Sequence, residues 1–359
     1  MTKFVIKKIL YGWLVLVGVV ITVFFLFNVL PGDPARMMLG QRADVSSIET
    51  IKKDIGTDQP LPIQFIMYVN DLSPLSIHDV KWKNSVIFLS AEKYSSYIKL
   101  FSISKNIVLV LKPPYLRRSY QTKRKVSEIF YDAMPGTIVL AISAMLFASF
   151  IGIFLGLIAA VYKHTWIDNS SLVLAALGMS APSFFTGILI AWFFGYVLTD
   201  FTGLNMTGSL YTIDPFEGET LELKNLILPT IALGIRPLAV IVQLTRSSLL
   251  DVLSQDYIRT ARAKGLRFRQ VLIYHALKNA LNPVVTAISG WFASLLAGAF
   301  FVEYIFGWKG IGKVTVDALE KYDFPVVMGS VLVVASVFVV INILVDILYG
   351  ILDPRVRIQ

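Results

Sequence analysis

The string Gly307-Trp308-Lys309-Gly310-Ile311-Gly312-Lys313-Val314 comes within one residue of a phosphate-binding loop. Such a loop needs glycines so that backbone N–H groups can cradle phosphate, a lysine for the outer phosphates, and a Ser or Thr next to it for Mg²⁺. Val314 stands where that hydroxyl must be, and an apolar run precedes the string where a strand is required. Nucleotide binding is not expected here, so any ATP chemistry has to come from another chain. No H-E-x-x-H or G-x-S-x-G motif occurs. The chain has no cysteine, which removes disulfides, thiolate metal sites and thiol nucleophiles. Its three histidines, His78, His164 and His275, lie far apart, without the spacing of metal ligands. No catalytic residue, bound metal or cofactor is expected. Ser143, Ser180 and Ser294, isolated within apolar runs, are read as packing residues.

One charge stands out. Arg236 lies near the middle of an apolar run, where an ionised side chain costs about 2.5–3.5 kcal/mol on insertion scales. It must face a partner, a water-filled path or a protein interior. It either lines a route, meeting a substrate carboxylate or an acid of a neighbouring subunit, or it is a paired or snorkelling structural charge. Pro237 follows it and removes a helical hydrogen bond, so a kink or local unwinding is expected there. Pro182 marks a second kink, and Gly152 with Gly156 forms a G-x-x-x-G pair suited to close helix packing within the chain.

The elements that hold these residues follow from composition. Hydrophobic residues make up 55% of 359 and charged residues only 16%, an excess that no water-soluble core can hide. A bilayer core about 30 Å thick needs about 20 apolar residues at 1.5 Å each. Six segments qualify: 9–30, 137–162, 171–199, 226–250, 280–302 and 326–352. Inside lipid every backbone N–H and C=O needs an internal partner, so all six are expected to be helices. The first follows Lys3, Lys7 and Lys8 and is too long for a signal peptide's apolar stretch, so it is read as a retained anchor.

The net charge of +9 lies between the apolar runs and not along one basic face, which argues for membrane topology and against a nucleic-acid partner. Lys3, Lys7, Lys8, Lys163, Arg246, the basic cluster within 259–278, Arg355 and Arg357 fall on one side, read as cytoplasmic. The opposite loop 200–225 carries Asp200, Asp214, Glu217, Glu219 and Glu222 against Lys224 alone. With six spans, both termini are then cytoplasmic. The chain divides into an anchor at 1–30, an external segment at 31–136, a core at 137–352 and a tail at 353–359. Within the external segment, 45–55 and 61–68 have helical spacing, whereas 80–89 and 96–111 alternate as strands do. These make either a small subdomain or a spacer.

The connection 251–283 is unusually long for two membrane helices. It contains Tyr257-Ile258-Arg259-Thr260-Ala261-Arg262-Ala263-Lys264-Gly265-Leu266 and has helical character on both sides of the glycine. A helix that stops at Gly265 and restarts near Phe268 would lie across the cytoplasmic membrane face, where a soluble partner can push on it. This stretch resembles the EAA-type coupling loop of ABC importer permeases, in the form found in the dipeptide, oligopeptide and nickel transporters. Arg259, Thr260 and Ala261 take the places of the E-A-A signature, and Gly265 falls at its glycine. His275, Ala276, Leu277 and Lys278 stand where the wider family has I-x-L-P, with proline at Pro283, a departure typical of the peptide branch.

Further strings fit the same family in order. They are Leu30-Pro31-Gly32-Asp33-Pro34, Thr57 to Phe65, Arg118-Ser119-Tyr120, Phe306 to Gly312, Tyr322-Asp323-Phe324-Pro325, Asn342, Asp346 and Asp353-Pro354-Arg355. Residues 72–113 match nothing and look like an insertion.

The resemblance implies an all-α integral membrane protein with six transmembrane helices in a type I ABC importer (MetI-like) bundle. It implies a multi-pass permease of the bacterial inner membrane, itself without enzymatic activity. Its partners would be a second, homologous permease, two ABC ATPase subunits, an external substrate-binding protein and membrane lipid. Tyr257, Arg259, Thr260, Ala261, Lys264, Gly265 and Leu266 would meet the ATPase, and Arg236, Pro237 and Pro182 are candidates along the path. An ion-gradient-driven secondary transporter is the alternative, but it predicts inverted repeats and paired acids near mid-membrane, and the sequence has neither.

Overall fold

A computed structural model describes residues 2–28, 59–82, 85–90, 93–94, 96–214 and 218–352. The 30–34 string, the expected 45–55 helix, Thr57, Asp58 and the 353–359 tail lie outside them. The elements, in order, are α1 (Thr2–Asn28), α2 (Leu61–Leu72), β1 (Leu75–Asp79), β2 (Ile98–Ser102), β3 (Ile107–Leu111) and α3 (Val126–Val161). Next come α4 (Trp166–Ser180), α5 (Ser183–Trp192) with a π-helical extension Phe193–Val197, α6 (Thr199–Thr202), β4 (Tyr211–Asp214), β5 (Gly218–Leu221) and α7 (Ile227–Leu253). The rest are α8 (Asp256–Ala263), α9 (Phe268–Gln270), a π-helical stretch Val271–Leu277, α10 (Lys278–Gly298), α11 (Phe300–Ile305), α12 (Ile311–Glu320) and α13 (Phe324–Leu352).

Among the described residues four helical stretches are long and apolar enough to cross a bilayer: Lys3–Phe27, Val126–Val161, Leu223–Leu253 and Phe324–Ile347. The expected span 171–199 is broken: α4 and α5, the latter with its extension, meet at 109° around Pro182. The kink anticipated there is thus a full break, because Pro182 is extended (φ −60°, ψ 137°) and starts a new helix. The expected span 280–302 is helical as α10, 21 residues long, followed by α11. At Pro237 no break occurs, and α7 continues to Leu253. Gly234 against Phe147 and Ala239 against Ala175 fix the turns on either side.

By packing the chain forms two units, Met1–Asp132 with Thr315–Val339, and Ala133–Val314 with Val340–Gln359. In the first, Val23 and Phe24 of α1, Tyr68 of α2, and Met328 and Leu332 of α13 form one buried cluster. The insertion folds as an antiparallel sheet in the order β1-β3-β2. The 96–111 run holds two of its strands, as alternation suggested, whereas β1 lies just before the expected 80–89 strand. Asp79 Oδ1 accepts the N–H groups of Lys81 and Trp82 at 2.8 and 3.1 Å, a turn that ends β1, after which the Val80 N–H still reaches the Asn106 carbonyl at 3.0 Å and Phe88 bridges Asp79. The 96–111 run becomes a hairpin, turning at Ser104-Lys105-Asn106. His78 is a core residue, fully buried, with Nε2 2.9 Å from Ser76 Oγ and Nδ1 3.1 Å from the Ile87 carbonyl. Burial lowers its pKa. Burial also pulls the Lys112 ammonium down to about 8, although it donates to the Asp71 and Ser73 carbonyls at 2.6 and 3.3 Å.

In the second unit α3 meets α7 at Gly152 and Gly156. A Cβ at either would lie 2.8 Å from Ile241 or 2.6 Å from Thr245, so the pair serves in-chain packing, as expected. Asp168, at the start of α4, is buried and binds Arg246 of α7 in a two-point pair, Nε to Oδ1 and Nη2 to Oδ2 at 2.7 Å. It also accepts the His164 N–H at 2.9 Å.

The near-phosphate-loop has a different occupant. Glu303, fully buried on α11, accepts the N–H groups of Gly312 and Lys313 through Oε2 at 2.7 and 3.3 Å. Thr137 Oγ1 takes the Ile311 N–H at 2.9 Å. The donors at the N-terminus of α12 that a phosphate would need are thus held by the protein itself. The glycines are there because a Cβ at Gly310 would lie 2.2 Å from the Glu303 carboxylate, and one at Gly312 would lie 2.4 Å from Phe300 Cα.

Two predictions follow from these buried acids. Asp168→Asn should destabilise the protein by about 3 kcal/mol, because Arg246 stays desolvated without its countercharge. Pairing it with Arg246→Met should recover most of the loss in a thermal-unfolding assay in detergent, and absence of recovery would argue against the pair. Glu303→Ala leaves backbone donors of α12 without acceptors and should cost about 2–3 kcal/mol, more than Glu303→Gln, which keeps an acceptor. Equal melting temperatures for the two would contradict that role.

Candidate functional site

Two features of the second unit look outward. The first is the element centred on Gly265. Helix α8 runs Asp256–Ala263 and stops in a Schellman arrangement: the Gly265 N–H donates to the Arg262 carbonyl at 2.9 Å and the Leu266 N–H to the Ala261 carbonyl at 3.4 Å. That geometry requires a left-handed residue, and Gly265 has φ +78°. The chain restarts at Phe268 and runs through the π-helical stretch into α10, as the glycine's position had suggested. The π-helical stretch itself has no sequence signal that was used.

Only one side of α8 touches the protein. Ile258 and Ala261, one turn apart, are buried in a cluster with Leu249 of α7, Val271, Leu272 and Ala276 of the π-helical stretch, and Ala280 of α10. Ala261 therefore anchors the element and does not face outward. The other six expected contact residues are exposed: Tyr257, Arg259, Thr260, Lys264, Gly265 and Leu266. The Tyr257 hydroxyl accepts from Asn279 Nδ2 at 3.0 Å, tying α8 to the start of α10. Thr260 Oγ1 donates back to the Asp256 carbonyl at 3.0 Å, and the Arg262 guanidinium lies over the Phe268 ring at 5.5 Å. Arg259 reaches Asp256 at 3.5 Å, with both side chains highly exposed, so solvent screens the pair.

The second feature is a difference between helix faces. The outward face of α3 presents Ile138, Ile142, Leu146, Phe150 and Phe154, as lipid demands. The exposed face of α10 presents Asn279, Asn282, Pro283, Thr286, Gly290 and Ser294, with Val285 the one large apolar side chain exposed among its described residues. Their spacing of three and four places them on one stripe, a signal that was readable in the sequence but missed. Ser294, expected to be a packing residue, belongs to this face. Helix α10 packs along α7. On α7, Arg236 and Ser247 are exposed and Gln243 half-exposed, again on one stripe. Arg236 has no hydrogen-bond or ion-pair partner among the described residues. Pro237 is buried beside it, whereas Pro182 sits at the α4–α5 break.

The sequence model of the family described as "Binding-protein-dependent transport system inner membrane component" matches residues 152–358. The model of that family's N-terminal region matches residues 1–81. Most of the insertion, from residue 82 on, falls between the two. A dipeptide transport system permease protein of Alkalihalophilus pseudofirmus is 33% identical over 99% of this chain and 100% of its own. A di/tripeptide transport system permease protein of Pseudomonas aeruginosa is 34% identical over 95% of both chains. A glutathione transport system permease protein of Pectobacterium atrosepticum is 33% identical over 99% of each. Among solved structures, a chain of the MetNI methionine ABC transporter in an inward-facing conformation aligns at 17% identity, with a TM-score of 0.49 over 63% of this chain and 97% of that one. The apolar helices, the anchored helix before Gly265 and these matches along nearly the whole sequence agree: the chain belongs to the family of inner-membrane components of binding-protein-dependent transport systems.

Proposed function

We propose that this chain is one permease subunit of an ATP-driven importer of short peptides or related small solutes. The observation that carries this reading is α8 with Gly265: a helix anchored through Ile258 and Ala261 whose other residues are exposed. Two ATPase subunits would dock there, at Tyr257, Arg259, Thr260, Lys264, Gly265 and Leu266. A second, homologous permease and an external substrate-binding protein complete the assembly, in the cytoplasmic membrane of a bacterium with both termini inside. The permease does no chemistry and binds no cofactor. ATP binding would draw the docked helices together, and the displacement would enter through Ile258 and Ala261. From there it passes into α7 at Leu249 and into α10 through Val271 and Ala276, shifting the equilibrium between inward- and outward-facing states. The ion-gradient alternative finds no support in the family.

The polar faces of α7 and α10 line the route in this reading. Arg236 meets a substrate carboxylate or an acid of the partner permease, which offsets the cost of holding a charge at that depth.

Gly265 gives a graded test. A residue with a Cβ in the left-handed region costs about 1–2 kcal/mol, most for β-branched side chains and least for Asn. A Cβ there meets nothing else in the chain. Gly265→Asn should keep ATPase association and uptake near wild type, whereas Gly265→Val should lower both at unchanged membrane levels. Normal coupling in the Val variant would refute the assignment. For Arg236, charge reversal to Glu should reduce uptake by roughly tenfold or more while Arg236→Lys keeps most of it. Wild-type transport by Arg236→Glu would remove the residue from the route.

A further inference from the structure

The external subdomain contains a cavity of about 780 Å³, within the size range of small-ligand sites. It is bounded by the end of α2, the loop after β1 and the segment leading to α3, all in the first unit. Four cations line it, Lys93, Arg117, Arg118 and Lys123, and Asp71 is the one carboxylate among the lining residues. Asp71 is already engaged: its Oδ1 accepts from Lys93 Nζ at 2.8 Å and from the Tyr94 hydroxyl at 2.6 Å. The cavity therefore keeps an excess of positive charge.

The backbone around those cations is held in an unfavourable shape. Arg117 and Lys123 have φ of +67° and +61°, in the left-handed region that non-glycine residues avoid. Such conformations persist only when the surroundings fix them, and they concentrate at binding sites. Asp323 does the fixing here. It is buried, and it accepts the Ser119 hydroxyl at 2.5 Å, the Tyr120 N–H at 3.0 Å and the Gln121 N–H at 3.5 Å. Gln121 Nε2 adds a bond to the Lys321 carbonyl at 3.0 Å. Two strained basic residues thus frame one loop, are pinned from beneath, and border the same concave space. Aromatic and apolar side chains, Phe88, Tyr115 and Met67 among them, complete the wall.

We propose that this cavity binds a small carboxylated solute, a short peptide held through its C-terminal carboxylate by Arg117 and Lys123. The choice of a peptide rests on the importer reading above. The choice of a carboxylate rests on the charge and the preset loop. A concave site of this volume suits a solute that enters it better than a flat protein surface.

The test uses the full transporter in nanodiscs without its binding protein. Binding of trialanine, trialanine amide and acetate is measured by calorimetry for wild type and for Arg117→Asn/Lys123→Asn, since Asn tolerates the left-handed backbone. Trialanine should bind at least about tenfold more tightly than its amide, and at least about tenfold more tightly to wild type than to the double variant. Lys123→Arg should retain binding, and all variants should melt at the same temperature in nanodiscs, which controls for folding. Charge-dependent acetate binding without peptide binding or peptide uptake would keep the carboxylate site and refute the peptide reading instead. Equal binding of acid and amide, or wild-type binding by the double variant, would overturn the proposal. So would a double variant whose only defect is docking of the binding protein, because the cavity would then be a protein contact.

Discussion

Backbone N–H groups at the ends and breaks of membrane helices have little or no water to fall back on, so the protein must supply their partners. Much of this structure follows from how it does so. Three buried carboxylates each close a loop onto a helix. Asp168 takes the His164 N–H and the Arg246 guanidinium, Glu303 takes two donors at the start of α12, and Asp323 takes the 119–121 turn. Each stands next to a feature that would otherwise look functional: a basic residue on α7, a glycine-rich string, an arginine-rich loop. A carboxyl group that closes a loop is itself a polar group removed from water, and the donors that converge on it offset that cost.

The second organising constraint is which surface meets lipid. Helix α3 turns Leu146, Phe150 and Phe154 outward, whereas α10 turns out asparagine, threonine, glycine and serine. Both faces are exposed in the single chain, but only the first suits hydrocarbon. The polar one calls for water or another subunit.

How far the sequence could be read depended on the range of the interaction involved. The helix before Gly265, its stop and its restart were legible, because an αL terminus is a local event written in one residue. The failure of the glycine-rich string as a nucleotide site was legible from Val314 alone. Its actual occupant was not, because Glu303 and Gly312 meet through a tertiary turn. The pairing of Asp168 with Arg246 joins residues 78 positions apart and left no pattern. Strand placement in the insertion held for 96–111 and failed for 80–89 for a nearer reason: one aspartate side chain, at Asp79, captured two N–H groups and ended β1 there. Pro182 and Pro237 show the limit of a residue-type rule. The first breaks its span, whereas the second is carried through because its neighbours are packed on both sides.

The polar stripe on α10 also bears on how the protein is made. A segment carrying two asparagines, a threonine and a serine on one face partitions poorly from the translocon into lipid as a lone helix. Helix α7, already delivered and rich in apolar surface apart from its own stripe, precedes it in the chain and packs along it. Packing against α7 would lower that cost. The residues that set one face of α10 apart from lipid also make its entry into the membrane depend on the helix before it.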